Sequence, residues 1–199
     1  FFDELKGIAD GAGVTVDEII LWNNSSSLDY AIPKLQEFLV NMPKLNKKYG
    51  DLINKLPKLG QMEGGSNDKC SAFMALKPYT TDGKIVCSHN SFDNFILGQW
   101  FNTMLSIRPD KGHPMLFQTA PGYIASMTDM AVTGKGFIVT ETTIGGFLPY
   151  EHKLPITCRI REAMQYANTL DDYVKILENG NSGDYANSWL IGDTRNNEI

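Results

Sequence analysis

The chain has 199 residues and 18 Lys and Arg against 23 Asp and Glu, for a formal net charge of −5; with no arginine-rich cluster, it offers nucleic acid no electrostatic footprint. Its 42% hydrophobic and 21% charged residues describe an ordinary globular chain able to bury a sizeable core, and no apolar run approaches the ~20 residues that span a bilayer. Three cysteines, Cys70, Cys87 and Cys158, make no disulfide framework and leave at least one thiol over.

The chain opens at Phe1, inside a predicted helix in which Phe2, Leu5 and Ile8 recur at helical spacing before Gly11-Ala12-Gly13 interrupts it. Thr15 followed by Glu18 is a capping-box pattern that starts a second helix through Ile19, Ile20 and Trp22. The polar run Asn23-Asn24-Ser25-Ser26-Ser27 is expected to end it. Residues 33–59 form a lysine-rich amphipathic stretch with Leu35, Phe38, Leu39, Leu45, Leu52, Ile53 and Leu56 as its apolar stripe, broken by Pro43 and Pro57. Such a stripe lies on a lipid surface or, more often, packs on its own protein.

After the loop at 60–69 the period changes to that of strands. Residues 71–77 and 84–88 form a predicted hairpin around Thr81-Asp82-Gly83. Further strands are expected at 101–107, 115–119, 123–126, 130–133 and 137–142, joined by Pro- and Gly-containing turns. Two helices follow, over 156–167 and over 170–178 behind a Thr169 cap, with Asn179-Gly180 as the stop. A strand at 186–192 comes last, then a turn over 194–197 after which a further strand is due. Strands, then helices, then strands fit an α+β layered fold. Without an initiator Met, and stopping where a strand is due, the sequence reads as a portion of a longer chain; a signal peptide would lie upstream.

Cys70 stands out. It opens a predicted core strand directly behind the glycine-containing run Gly64-Gly65-Ser66-Asn67-Asp68-Lys69. A cut there would make it a new N-terminus, whose α-amino group, with a pKa near ~8, would serve as base for its own thiol. Cys87 in a strand and Cys158 in a helix are read as small buried hydrophobes. No Cys-x-x-Cys or His-x-x-x-His spacing points to zinc, no second cysteine lies at short range for redox work, and no Gly-Ser-Cys-Trp signature surrounds Cys70.

Lys69-Cys70-Ser71-Ala72, Asp82-Gly83-Lys84-Ile85-Val86 and Ser88-His89-Asn90 resemble the nucleophile region of the phospholipase B-like proteins. Thr119-Ala120-Pro121-Gly122-Tyr123-Ile124, Glu141-Thr142-Thr143-Ile144-Gly145-Gly146 and the run from Asn181 to Trp189 are similar to later blocks of that family. The run from Glu4 to Val14 resembles the helical lead-in of the related isopenicillin-N acyltransferase-like hydrolases. The resemblance implies an N-terminal nucleophile (Ntn) hydrolase, an αββα sandwich, with a helical lead segment over 1–69 and the first part of the core over 70–199. It implies self-cleavage of the Lys69–Cys70 bond and hydrolysis of an acyl amide or ester in a small lipid-like substrate, without metal or organic cofactor. The remainder of its own chain is the implied partner, in a secreted, periplasmic or lysosome-like compartment.

The roles follow from that resemblance. Cys70 is the nucleophile, and Asn187 is the candidate oxyanion donor, its alternative being a strand-edge asparagine bonded to its own backbone. Many relatives carry an arginine and an aspartate just after the second strand, where this chain has His89-Asn90 with Asp93 nearby. His89 and Asn90 are expected to orient the amine or bind the substrate carbonyl; alternatively they are ordinary polar residues at a strand end. Thr142 and Thr143 either position the amine or are ordinary strand threonines. His113 and His152 receive no role. The competing reading is an uncleaved, non-catalytic lipid- or protein-binding module on the same fold, with residues 33–59 as its contact surface.

Overall fold

Short polar side chains set the helix starts. In the computed structural model, which describes residues 1–55, 70–92, 95–126, 130–144 and 150–199, α1 (Phe2–Ala12) buries Leu5 and Ala9 and ends at Gly13, whose φ of 71° is left-handed. The expected capping box opens α2 (Val16–Asn23): the Glu18 N–H donates to Thr15 Oγ1 at 3.3 Å and the Thr15 N–H to Glu18 Oε2 at 2.8 Å.

The polar run ends α2 as expected, at Asn23 with Asn24 as its cap, but no loop follows. A single residue, Asn24, separates α2 from α3 (Ser25–Val40), which runs through Pro33 and pairs with α4 (Pro43–Asn54). A tertiary anchor overrides the loop-like composition: Ser27 Oγ donates to Asp184 at 2.5 Å, and Ser25 Oγ lies 2.8 Å from the Tyr123 hydroxyl. Leu56 and Pro57 of the expected stripe, and the 60–69 loop, lie outside the described residues.

The strands form two antiparallel sheets. β1 (Cys70–Ala75) pairs with β2 (Val86–Ser91). The connection at 76–85 is longer than the tight turn expected; Asp82 instead accepts the Lys84 N–H at 3.1 Å within it. The single-turn α5 (Phe95–Gly98) follows. β3 (Thr103–Ile107), β4 (Met115–Thr119), β5 (Met130–Thr133), β6 (Phe137–Thr143) and β7 (Asn187–Asp193) make a five-stranded sheet in that order.

Residues 123–126, expected as a strand, are not one. All four are buried, which the period of two in a half-exposed strand does not allow. Their main chain is held by side chains: Thr119 Oγ1 donates to Ala125 O at 2.7 Å, and the Ile124 N–H donates to Asn23 Oδ1 at 2.9 Å.

The two faces of the large sheet are covered differently. Phe117, Phe137 and Val139 face α6 (Ile156–Tyr166) and α7 (Leu170–Glu178), where Ile160, Met164, Tyr173 and Leu177 complete the main core. As expected, Thr169 caps α7, accepting the Asp172 N–H at 3.0 Å. The β1–β2 sheet packs on the opposite face: a Cβ on Gly192 would meet Ile85 Cδ1 at 3.0 Å and Met74 Sδ at 3.2 Å. The result is an α+β arrangement in which helices, a five-stranded sheet and a two-stranded sheet lie in successive layers. Where the small sheet stops, Met104, Leu116 and Val132 of the large sheet remain exposed.

A buried polar hub joins these layers. Asp184, wholly shielded, accepts from Ser27 Oγ, Ser182 Oγ at 2.6 Å, the Ile156 N–H at 2.9 Å and Arg159 Nη2 at 3.3 Å. Arg159 is buried with it, and that burial depresses the guanidinium below its ordinary value while Asp184 opposes the shift. Removing one partner strands the other. Asp184→Ala is expected to cost about 3–5 kcal/mol, read as a lowered denaturant midpoint, and Asp184→Asn less because one acceptor oxygen survives.

Candidate active site

Alternation along β1 decides which side chains meet. Cys70, Ala72 and Met74 point inward and are half-buried, while Ser71 and Phe73 point outward and are exposed. The antiparallel register sets Cys70 opposite Ser91, Ala72 opposite His89 and Met74 opposite Cys87, so all six share the inner face. Cys70 and His89 are diagonal neighbours there, a relation that sheet geometry holds at about 7–8 Å. Asn90 lies opposite Ser71 on the outer face and is exposed, so it is not brought together with Cys70 and His89. His89 sits within β2 rather than at a strand's end. Lys69, Asp93 and Gly145-Gly146 lie outside the described residues.

Two cross-sheet contacts orient this face on the large sheet. Met74 meets Gly192, which is opposite Ile138, and His89 lies against the main chain of Glu141, which is opposite Trp189. Moving from Met74 towards Cys70 therefore moves along β6 from Ile138 past Glu141. The next pairs in that direction are Thr142 with Ser188 and Thr143 with Asn187. The thiol thus heads for the end of the sandwich that holds Thr142 and Asn187. By alternation from Gly192, Thr142 and Ser188 face the small sheet, and Thr143 and Asn187 share the helix-facing side with Glu141.

Polar groups at this end are incompletely satisfied. Among the described residues, His89 Nε2 and Asn187 Nδ2 are both shielded from solvent without a hydrogen-bond partner, as are Thr140 Oγ1 and Glu141 Oε2. Ser91 Oγ approaches His89 Nδ1 only to 3.5 Å. Burial holds the His89 imidazole below its usual value, and Glu141, through its main chain and its charge, pulls the other way. The neutral ring is therefore the favoured form.

Glu141 and Tyr185 were assigned no role from sequence. The wholly buried Glu141 accepts from the Tyr185 hydroxyl at 2.8 Å, and the same hydroxyl lies 2.7 Å from Thr143 Oγ1. The available signal was an acid inside an otherwise apolar and β-branched strand. Cys70, Cys87 and Cys158 are all thiols rather than disulfides. Burial pushes the last two up, away from thiolate, as befits packing residues.

Comparison with known proteins bears on this arrangement. The family model described as Phospholipase B matches residues 10–198. A bovine protein named putative phospholipase B-like 2 is 30% identical over 159 residues, covering 71% of this chain and 26% of its own length. Phospholipase B-like protein G of Dictyostelium discoideum is 32% identical over 83 residues, covering 39% of this chain and 14% of its own. An uncharacterised protein of Archaeoglobus fulgidus aligns with the whole chain at 22% identity, across 31% of its own length. The chain thus spans about a quarter of the bovine relative.

The depressed His89 pKa has a measurable sign. Above about pH 6.5 the imidazole is neutral in folded and unfolded chains alike; below it the unfolded chain takes up the proton more readily, and stability falls. The denaturant midpoint is expected to drop between about pH 7.5 and about pH 5, and His89→Gln to lessen that drop.

Proposed function

The chain belongs to the phospholipase B family, and from that premise we propose that it carries the nucleophile of a self-processing cysteine hydrolase that cleaves an acyl amide or ester bond. One observation carries the reading. Cys70 opens an inner-face strand and shares that face with His89, whose Nε2 is buried with no hydrogen-bond partner among the described residues; Asn187 Nδ2, at the same end but on the helix-facing side, is likewise unpartnered among them. Buried donors left unpaired in the resting molecule are what an oxyanion site requires, because they await charge that develops only during the reaction.

Processing comes first. Cys70 Sγ attacks the Lys69 carbonyl carbon, the Lys69–Cys70 amide breaks, and the acyl group moves from nitrogen to sulfur. Water then hydrolyses that thioester, releasing the Lys69 carboxylate and freeing the Cys70 α-amine. In the mature form the amine accepts the thiol proton, and the thiolate adds to the substrate carbonyl. His89, which shares the inner face of the small sheet with Cys70, donates to the resulting oxyanion, and Thr142, facing the small sheet, orients the amine; Asn187, set by strand parity on the helix-facing side, is not brought to that oxyanion. The ammonium returns its proton to the departing amine or alcohol, and water discharges the second thioester. Neutral His89 donates to the substrate carbonyl or to the incoming water.

The layers already present fit three of the four layers of an αββα sandwich, residues 1–69 acting as the helical lead segment. The exposed Met104, Leu116 and Val132 beyond the edge of β2 fit further strands supplied by the remainder of a longer chain, burial of such a patch being favourable. A small acylated, lipid-like substrate and a secreted or lysosome-like compartment complete the reading.

Intact mass and N-terminal sequencing test it. A fragment beginning Cys70-Ser71-Ala72 is expected from the unsubstituted protein and none from Cys70→Ala, with Cys87→Ala cut normally. Cleavage that persists in Cys70→Ala would overturn the mechanism. A chain that stays whole and inert supports the non-catalytic module instead. His89→Ala is expected to lower kcat about 100- to 1000-fold against a soluble acyl substrate while leaving the fold intact.

A further inference from the structure

We propose that the α3–α4 hairpin is an interfacial anchor that seats its tip on an anionic lipid surface. The expectation that the apolar stripe of residues 33–59 packs on its own protein is met by only part of it. Leu39 is buried between the helices, but Val40 is 73% exposed, Leu52 64% and Phe38 49%. Among the described residues, side-chain hydrogen bonds tie the hairpin to the body at its base, where Ser25 meets Tyr123 and Ser27 meets Asp184. At 1.5 Å per residue, Val40 stands about 20 Å from that anchor.

Geometry and charge together select the occupant. Leu45, Tyr49 and Leu52 fall at i, i+4 and i+7 of α4, one exposed face, while Gly50 on the far side is buried. Lys44 and Lys48 flank that stripe on the helix wheel. Residues 38–48 contain Lys44, Lys47 and Lys48 and no acid, in a chain whose net charge is −5. All three lysines are exposed, and among the described residues none forms an ion pair. A convex apolar tip with an unneutralised lysine collar matches a headgroup layer, with apolar side chains entering the acyl boundary and ammonium groups at the phosphates. The proposal does not rest on the hydrolase reading, since it concerns a different face.

Co-sedimentation with vesicles tests it, using the full chain with Cys70→Ala so that no turnover alters the lipid. Binding is expected to phosphatidylcholine–phosphatidylserine vesicles, weakly or not at all to phosphatidylcholine alone, and to fade as salt rises towards about 1 M. The triple variant Lys44→Glu, Lys47→Glu, Lys48→Glu is expected to weaken binding at least about tenfold. The pair Val40→Asp and Leu45→Asp is expected to do the same; all these positions are exposed, so the circular-dichroism melt stays unchanged. Equal binding by these variants and the parent, or no binding by the parent to either vesicle, overturns the proposal; the second result leaves the tip to a protein partner. Peptide cleavage at Cys70 has no bearing on this readout, so the two readings fail separately.

Discussion

The Asp184 carboxylate is the constraint on which the rest depends. It receives the first N–H of α6, the side chain that anchors α3, and the arginine that also binds the Leu177 carbonyl at the end of α7. One buried anion thereby fixes a helix start, a helix end and the base of the hairpin. It also stands one residue before Tyr185 and three before Asn187, the first residue of β7. The site's polar groups are placed by an interaction that takes no part in their chemistry. Such an ion pair adds little over an apolar packing of the same shape, because desolvation consumes most of its Coulomb energy. Its worth lies in specifying one arrangement, since any other would leave a buried charge unmatched.

A contrast runs through the buried polar groups. Around Asp184 and Asn23 nearly every donor and acceptor is satisfied; Asn23 alone holds Gly122 O at 2.8 Å and the Ile124 N–H at 2.9 Å. At the Cys70 end of the sandwich, His89 on the small sheet and Asn187 and Glu141 on the helix-facing side each leave an atom unpaired among the described residues. A buried unsatisfied polar atom costs about 1–3 kcal/mol, so several at one end of the sandwich are a stability cost that packing alone does not explain. That cost is the usual mark of a surface shaped for something other than folding.

Much of this was legible in the sequence where the signal is local. The Thr15–Glu18 box, the Thr169 cap and the alternation of β1 depend on neighbours within a few residues, and each is realised. The errors share a different cause. Residues 25–27 read as part of the stop after α2, and α2 does stop there, but nothing local shows a third helix starting at once; contacts more than 90 residues away draw them into α3. Residues 123–126 read as a strand because they are apolar, but a wholly buried run has no period, and Asn23 and Thr119 take the bonds a ladder would need. The placement of Asn90 needed register as well: His89 and Asn90 are adjacent in sequence and therefore on opposite faces. No motif tells which of two neighbours looks inward.

Net charge is a poor guide to what the hairpin meets. At −5 the chain as a whole would be repelled by an anionic surface, but charges interact appreciably only within the Debye length, about 8 Å at physiological salt. Val40 stands about 20 Å along α3 from the anchor at its base, so a surface touching the tip lies closest to Lys44, Lys47 and Lys48. A distant acidic body then orients the molecule instead of repelling it, turning the lysine end towards the surface and the body away. Val40, Leu45 and Leu52 of the hairpin are left uncovered by the core. Physical pressure on that segment comes from outside the fold, whereas the inner face of β1 answers to contacts within it.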